Sequence, residues 1–214
     1  MNYLAHVFLQ RFSPDLLIGG LLGDFVKGAL DARYSPTVQK GILLHRAIDR
    51  YTDGHPIVRA SIALISPVRR RFAGILIDVF YDHFLACHWA RYSEQTLEAF
   101  THHVYTTLAA RSADYPERLQ CILPFMTEQD WLASYMHIES VDAALHGIAR
   151  RFQRYPRAAV LGDGVQELIQ NYDALERHFL EFFPDLIAFV NRASYSAEPK
   201  VAITPLRQLR VARR

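Results

Sequence analysis

The 214-residue sequence predicts an all-α fold, a single-domain helical bundle, from three observations. Apolar residues recur at helical spacing nearly everywhere, with no convincing run of the strict alternation that marks a half-buried strand. Ser13-Pro14, Ser35-Pro36 and Ser66-Pro67 repeat one start signal. In each, a serine oxygen caps the helix and a proline sits where its missing N–H costs nothing. Finally, the run Phe72–Ala90, FAGILIDVFYDHFLACHWA, is apolar on every side of a helical wheel, which predicts a helix buried all round.

The elements follow in order. A short helix is expected over Tyr3–Gln10. Ser13 and Pro14 open a second, from Asp15 to about Lys27, whose Gly19, Gly20 and Gly23 lower its propensity and imply close backbone approach to a neighbour. Pro36 to about Thr52 is a third, ended by Asp53-Gly54 and Pro56, and a shorter one begins at Pro56. Ser66-Pro67 opens the long central helix to about Arg91. Further helices are predicted from Ser93-Glu94 through Ala110, from Pro116, around Trp131–Met136 and over Val141–Phe152. Val165 to about Phe183 follows the break at Gly162–Gly164, and Pro184 starts a last one to Ala193. Residues 1–194 are expected to form the catalytic domain and 195–214 a basic, flexible tail, with Lys200, Arg207, Arg210, Arg213 and Arg214 against Glu198 alone.

Composition bounds the function. Half the residues are hydrophobic and 21% are charged, ordinary for a globular protein with a sizeable core. A formal net charge of +2 argues for no nucleic-acid partner. Cys87 and Cys121 are far apart in apolar surroundings and read as reduced thiols of a cytoplasmic protein. No signal peptide is visible at the start of the sequence, and the two central aspartates of the Phe72–Ala90 run oppose membrane insertion.

Those aspartates are the first chemical signal. At about 100° per residue Asp82 lies roughly 40° from Asp78, so both carboxylates project the same way. Burying them without partners costs several kcal/mol each or forces protonation, and a bound cation removes the conflict. One Asp capping a neighbouring element while the other pairs with an arginine is the plainer alternative. A second pair, His45 and Asp49, shares a face of the third helix with Thr52 nearby, Asp24 follows Gly23, and His6 with Asn2 offers an imidazole on the first helix. Inward-facing side chains from several helices are how bundles build metal sites, and carboxylates with imidazole suit Mn²⁺, Fe²⁺ or Mg²⁺.

Together Asn2-x-x-Ala5-His6, Gly23-Asp24-Phe25, His45-Arg46-x-x-Asp49-x-x-Thr52-Asp53 and Asp78-x-x-x-Asp82-His83-x-Leu85 resemble the acyl-carrier-protein phosphodiesterase family, a divergent relative of the HD-domain phosphohydrolases. The resemblance runs from Met1 to about Phe189 and includes Asn171-Tyr-Asp-Ala-Leu-Glu176-x-x-Phe179. It implies an HD-like variant of the helical fold and Mn²⁺ dependence. It further implies hydrolysis of the phosphodiester joining 4′-phosphopantetheine to a serine of holo-acyl carrier protein. One departure from the HD signature is the reversed doublet Asp82-His83, whose side chains point about 100° apart on a helix.

On this reading Asp24, His45, Asp78 and Asp82 are the expected metal ligands, supported by His6, Asn2 and Thr52. Asp49 is expected to take a proton from water, Arg46 to hold a phosphate oxygen pair, and His83 to donate a proton from the site's edge. Arg69, Arg70, Arg150 and Arg151 are expected to meet the acidic carrier protein. Two other readings stay open. One is an HD-like phosphohydrolase acting on a nucleotide or another small phosphate ester; the other is a non-enzymatic helical protein with a structural metal.

Overall fold

Two of the three serine start signals cap helices in the computed structural model, which describes residues 1–30, 32–152 and 154–195. Ser13 Oγ accepts from Leu16 N at 3.1 Å and opens α2 (Pro14–Leu22); Ser35 Oγ accepts from Val38 N at 3.2 Å and opens α3 (Pro36–Gly54). They follow α1 (Tyr3–Leu9) and precede α4 (Pro56–Leu64). The remaining helices are α5 (Ala73–Cys87), α6 (Leu97–Ala109), α7 (Glu117–Glu128), α8 (Trp131–Ser134), α9 (Ile138–Arg151), α10 (Val165–Gln170) and α11 (Tyr172–Tyr195). No strand occurs among the described residues, so the all-α expectation holds. The basic tail lies outside them apart from Tyr195.

Several boundaries differ from expectation: the helix foreseen over Val165 to Phe183 is broken at Asn171 into α10 and α11, the central helix ends at Cys87, and α6 is capped by Thr96 instead of opening at Ser93. Helix α2 stops at Leu22, five residues early. Ser66 opens no helix: its N–H and hydroxyl bind the Glu167 carboxylate, and a 3₁₀ turn at Arg70–Phe72 precedes α5. Pro184 lies inside α11 rather than starting a helix. The ring removes the N–H that would meet the Leu180 carbonyl, yet burial of Phe179, Phe182, Phe183 and Leu186 carries the helix through.

Helix α5 is the central rod. Leu76, Phe80, Phe84 and Leu85 are fully buried, and α1, α4, α9 and α11 pack around it. Helices α2 and α3 make the tightest crossing. A Cβ on Gly19 would fall 2.4 Å from the Val38 carbonyl oxygen and 2.7 Å from the Gly41 Cα, so only glycines permit this approach. That contact fixes α3 against the chain that ends α2, and the candidate site sits there.

Candidate metal centre

Helix α3 presents His45 and Asp49 one turn apart, with His45 Nε2 3.2 Å from Asp49 Oδ2. Helix α1 adds His6, whose ring stacks on His45 at 3.6 Å and whose Nε2 lies 3.1 Å from Asp49 Oδ1. Among the described residues these three form the group whose ligand atoms lie within 4.8 Å of one another. Both imidazoles are buried, whereas the Asp49 side chain is 42% exposed, so the cluster has one open edge.

The hydrogen bonds around the imidazoles decide what this cluster needs. His45 Nδ1 lies 2.7 Å from the Gly20 carbonyl, which accepts only, so Nδ1 carries the proton. Nε2 is then left to Asp49, to which it donates a hydrogen bond when protonated and beside which it offers a lone pair to a cation when not. A carbonyl fixing the far nitrogen is the usual support of a ligating histidine. His6 is similar. Its Nε2 faces two acceptors, Asp49 Oδ1 and the Met1 carbonyl at 3.1 Å, while its buried Nδ1 has no partner. The Thr52 hydroxyl, one turn beyond Asp49, is also buried without a partner.

Burial, and then the neighbouring His45, bring the His6 pKa down to about 4. Burial alone would raise Asp49, yet hydrogen bonds from His45 and His6 hold its carboxyl well below the usual range. His6 is thus held neutral and Asp49 ionised, two of the protonation states that a dication requires. A stability effect follows with a definite sign. Unfolded His6 takes up a proton below its ordinary value of 6.5, the folded one only below about 4. Between these values the unfolded chain binds more protons, so stability falls as pH drops through that window. Thermal melts of the metal-free protein should show a declining midpoint from pH 6.5 to 4, and His6→Asn should flatten that slope.

The two aspartates of α5 divide their work. Asp78 Oδ1 accepts from the Met1 amino group at 2.7 Å, and that ammonium also lies 3.8 Å from Asp49 Oδ1. Asp78 thus borders the cluster through a shared positive charge. Asp82 is fully buried and accepts from Leu4 N at 2.7 Å and Ala5 N at 3.2 Å, the first-turn donors of α1. It caps that helix from outside, as the plainer alternative had it, because one further turn along α5 brings it beneath α1 and away from Asp49. Burial pushes its carboxyl up to about 7, against the opposing pull of the Met1 ammonium. Asp82→Ala leaves two buried N–H groups unpartnered and should destabilise the fold by about 1–3 kcal/mol per group. Chemical denaturation measures this directly.

The other expected residues are placed as follows. Asp24 directly follows Gly23 at the end of α2 and is partly buried, but it does not join the cluster. Arg46 donates to the Val26 carbonyl at 2.9 Å and so ties the Asp24–Val26 segment to α3. His83 points away from the cluster, 2.8 Å from the Tyr135 carbonyl and 3.0 Å from the Tyr172 hydroxyl, as its angle from Asp82 implies. Asn2 donates to Tyr135 Oη at 2.6 Å. Arg69 is held by Glu167 and the Val160 carbonyl, and Arg70 by the Ala63 and Ile65 carbonyls, so both serve as internal ties. Arg150 and Arg151 are exposed at the end of α9. The sequence reading gave His6 a supporting place, and the structure sets it against both His45 and Asp49; the Met1 amino group beside them was not foreseen. The spacing of Asn2 and His6 was the visible signal, but only the packing of α1 on α3 shows what it means.

The family model described as acyl carrier protein phosphodiesterase matches residues 1–186. The acyl carrier protein phosphodiesterase of Enterobacter sp. (strain 638) is 37% identical over 188 residues, covering 87% of this chain and 96% of that protein. Its counterpart in Photorhabdus laumondii subsp. laumondii is 33% identical over 201 residues, 94% of this chain and 100% of that protein. The Serratia proteamaculans (strain 568) protein of the same name is 36% identical over 188 residues, 87% of this chain and 96% of its own. No solved structure matches significantly. A match spanning both α1 and α3, and so all three members of the His6, His45 and Asp49 cluster, means that the chain belongs to the acyl carrier protein phosphodiesterase family.

Proposed function

We propose that this protein is a divalent-metal-dependent phosphodiesterase that hydrolyses the 4′-phosphopantetheine–serine phosphodiester of holo-acyl carrier protein. The products are apo-carrier protein and free 4′-phosphopantetheine. The observation that carries the reading is the cluster itself, two buried and stacked imidazoles, His6 and His45, both within about 3.2 Å of the half-exposed Asp49 carboxylate. Two imidazoles and one carboxylate with an open edge suit Mn²⁺ or Fe²⁺; Mg²⁺ prefers oxygen donors throughout. Acyl carrier protein as substrate is what the names of the relatives state of those proteins. No helix among the described residues is long and apolar enough to cross a membrane, which is compatible with a cytoplasmic enzyme. The HD-like description of the fold rests on the sequence resemblance.

His6, His45 and Asp49 would hold the ion. When bound, it supplies charge to the phosphoryl oxygens and acidifies a coordinated water. The chain's own groups do the rest. The Gly20 carbonyl keeps His45 in the tautomer that leaves Nε2 free. Asp78, 37% exposed beside the cluster, is the carboxylate placed to accept the water's proton. Asp82 keeps α1, and with it His6, seated on α5. Arg150 and Arg151 remain available to an acidic carrier protein. Arg71 and Arg157 line one groove with Phe72, Phe152 and Tyr155, although they are far apart in sequence. Docking there should weaken as salt rises.

The test is the intact mass of holo-acyl carrier protein after incubation with enzyme and Mn²⁺. Loss of the prosthetic group, blocked by chelator, is expected. An unchanged mass alongside turnover of a nucleotide would instead support a small-ester phosphohydrolase, and unchanged mass with no turnover at all a structural metal.

A further inference from the structure

A cavity of about 310 Å³ opens between the first turn of α1, the segment around α8 and the inner face of α9. Its volume is at the small end of ligand pockets, sized for one slender chain rather than a folded segment. Asn2 and Tyr3 form one wall, and the residue before them, Met1, touches both Asp78 and Asp49 and lends its carbonyl to His6. The cavity and the metal cluster are therefore neighbours across a single turn of backbone.

The lining sets the chemistry of the occupant. Ala144, Ile148 and Trp131 give apolar surface, while Gln129, Ser134 and Ser140 offer amide and hydroxyl partners. No carboxylate lies among the lining residues, whereas Arg150 and Arg151 do. Arg151 also reaches the Tyr3 hydroxyl, which brings positive charge to the wall nearest the cluster. Such a surface suits an uncharged chain with amides and hydroxyls along its length and an anionic end.

We infer that this cavity binds the non-protein arm of the diester, seating it through α8 and α9 while the phosphorus lies at the His6, His45 and Asp49 cluster. The inference rests on the function proposed above. The carrier protein's serine oxygen then leaves at the open edge of Asp49, where it takes its proton from solvent, and the phosphorylated pantetheine arm stays in the cavity until product release.

Gly147 permits a clean test. It lines the cavity on α9, and a Cβ there would meet only Arg150 Nη2 at 3.9 Å, an ordinary contact. Gly147→Leu should fill the space without disturbing the fold, which circular dichroism and Mn²⁺ titration would verify. Its KM for holo-acyl carrier protein should rise at least tenfold, with a much smaller change in kcat. Pantetheine, which lacks the phosphate, should inhibit the wild-type enzyme competitively and Gly147→Leu at least tenfold more weakly. Turnover of holo-carrier with an unchanged KM and unchanged pantetheine inhibition in Gly147→Leu would overturn the cavity assignment alone. Failure of the wild-type enzyme to act on holo-carrier at all would overturn the functional reading and the cavity assignment with it.

Discussion

Asp49→Asn is expected to abolish phosphodiester hydrolysis and to weaken Mn²⁺ binding by more than about 100-fold, because losing a ligand should cost more than losing its supporting partner. The amide has nearly the same shape, so steric effects are small and the readout is electrostatic. In the wild-type protein, Asp49 is the one carboxylate that both imidazoles face, at 3.1 Å from His6 and 3.2 Å from His45. An asparagine keeps one oxygen for an imidazole N–H but carries no charge, so the site loses the anion that draws a dication. Helical circular dichroism should be nearly unchanged. Isothermal titration with Mn²⁺ and the carrier-protein mass assay together make the measurement. A variant that binds Mn²⁺ as the wild type does would show that the His6, His45 and Asp49 cluster is not the metal site.

The comparison with Asp82→Ala separates two kinds of failure. Asp82 also lies amid the apolar rod of α5, but its bonds go to the first turn of α1 and not to the cluster. Its removal should lower stability first and reduce metal affinity only as α1 loosens. Asp49→Asn should do the reverse. Measuring unfolding and metal binding on both variants therefore distinguishes a ligand from a residue that seats the helix carrying one.

The difference between these two aspartates also marks the boundary of what the sequence makes legible. Local signals were readable: serine caps at α2 and α3, the all-round apolar face of α5, and the i,i+4 relation of His45 to Asp49. Each depends on residues within a turn or two of one another. Helical phase correctly set Asp78 and Asp82 on one side, and His83 on another. Depth along the rod was not readable, because it depends on where α1 crosses α5. That crossing gives Asp78 to the Met1 amino group and Asp82 to the backbone of Leu4 and Ala5. The place of His6 was hidden for the same reason. A single imidazole on a buried helix joins the cluster only because α1 stacks it on His45 from α3, a contact between residues 39 positions apart. Arg69 and Arg70 looked like surface charge because their acceptors, including Glu167 and the Val160 carbonyl, come from distant segments or from carbonyls that sequence does not display.

Gly23→Ala is expected to disable the site from behind. Gly23 has ordinary right-handed helical dihedrals, φ −53° and ψ −31°, so alanine meets no backbone obstacle and should favour the helical conformation. The obstacle is His45: a Cβ at Gly23 would lie 2.1 Å from its Cγ and 2.4 Å from its Cδ2. Cγ is at the root of the side chain, where rotation gives little relief. The ring cannot swing aside cheaply, since Nδ1 is bonded to the Gly20 carbonyl, Nε2 faces Asp49 and its face is stacked on His6 at 3.6 Å. Either the end of α2 lifts from α3, or His45 leaves its position. In both cases Nε2 no longer faces Asp49. Mn²⁺ affinity and turnover should each fall by about 10–100-fold, the range for disturbing the support of a metal ligand. The paired variant Gly23→Ala/His45→Ala removes the obstructing ring. It should recover the stability lost in Gly23→Ala yet remain inactive, which thermal melts and the mass assay would show. Wild-type metal affinity in Gly23→Ala would mean that His45 does not hold the ion.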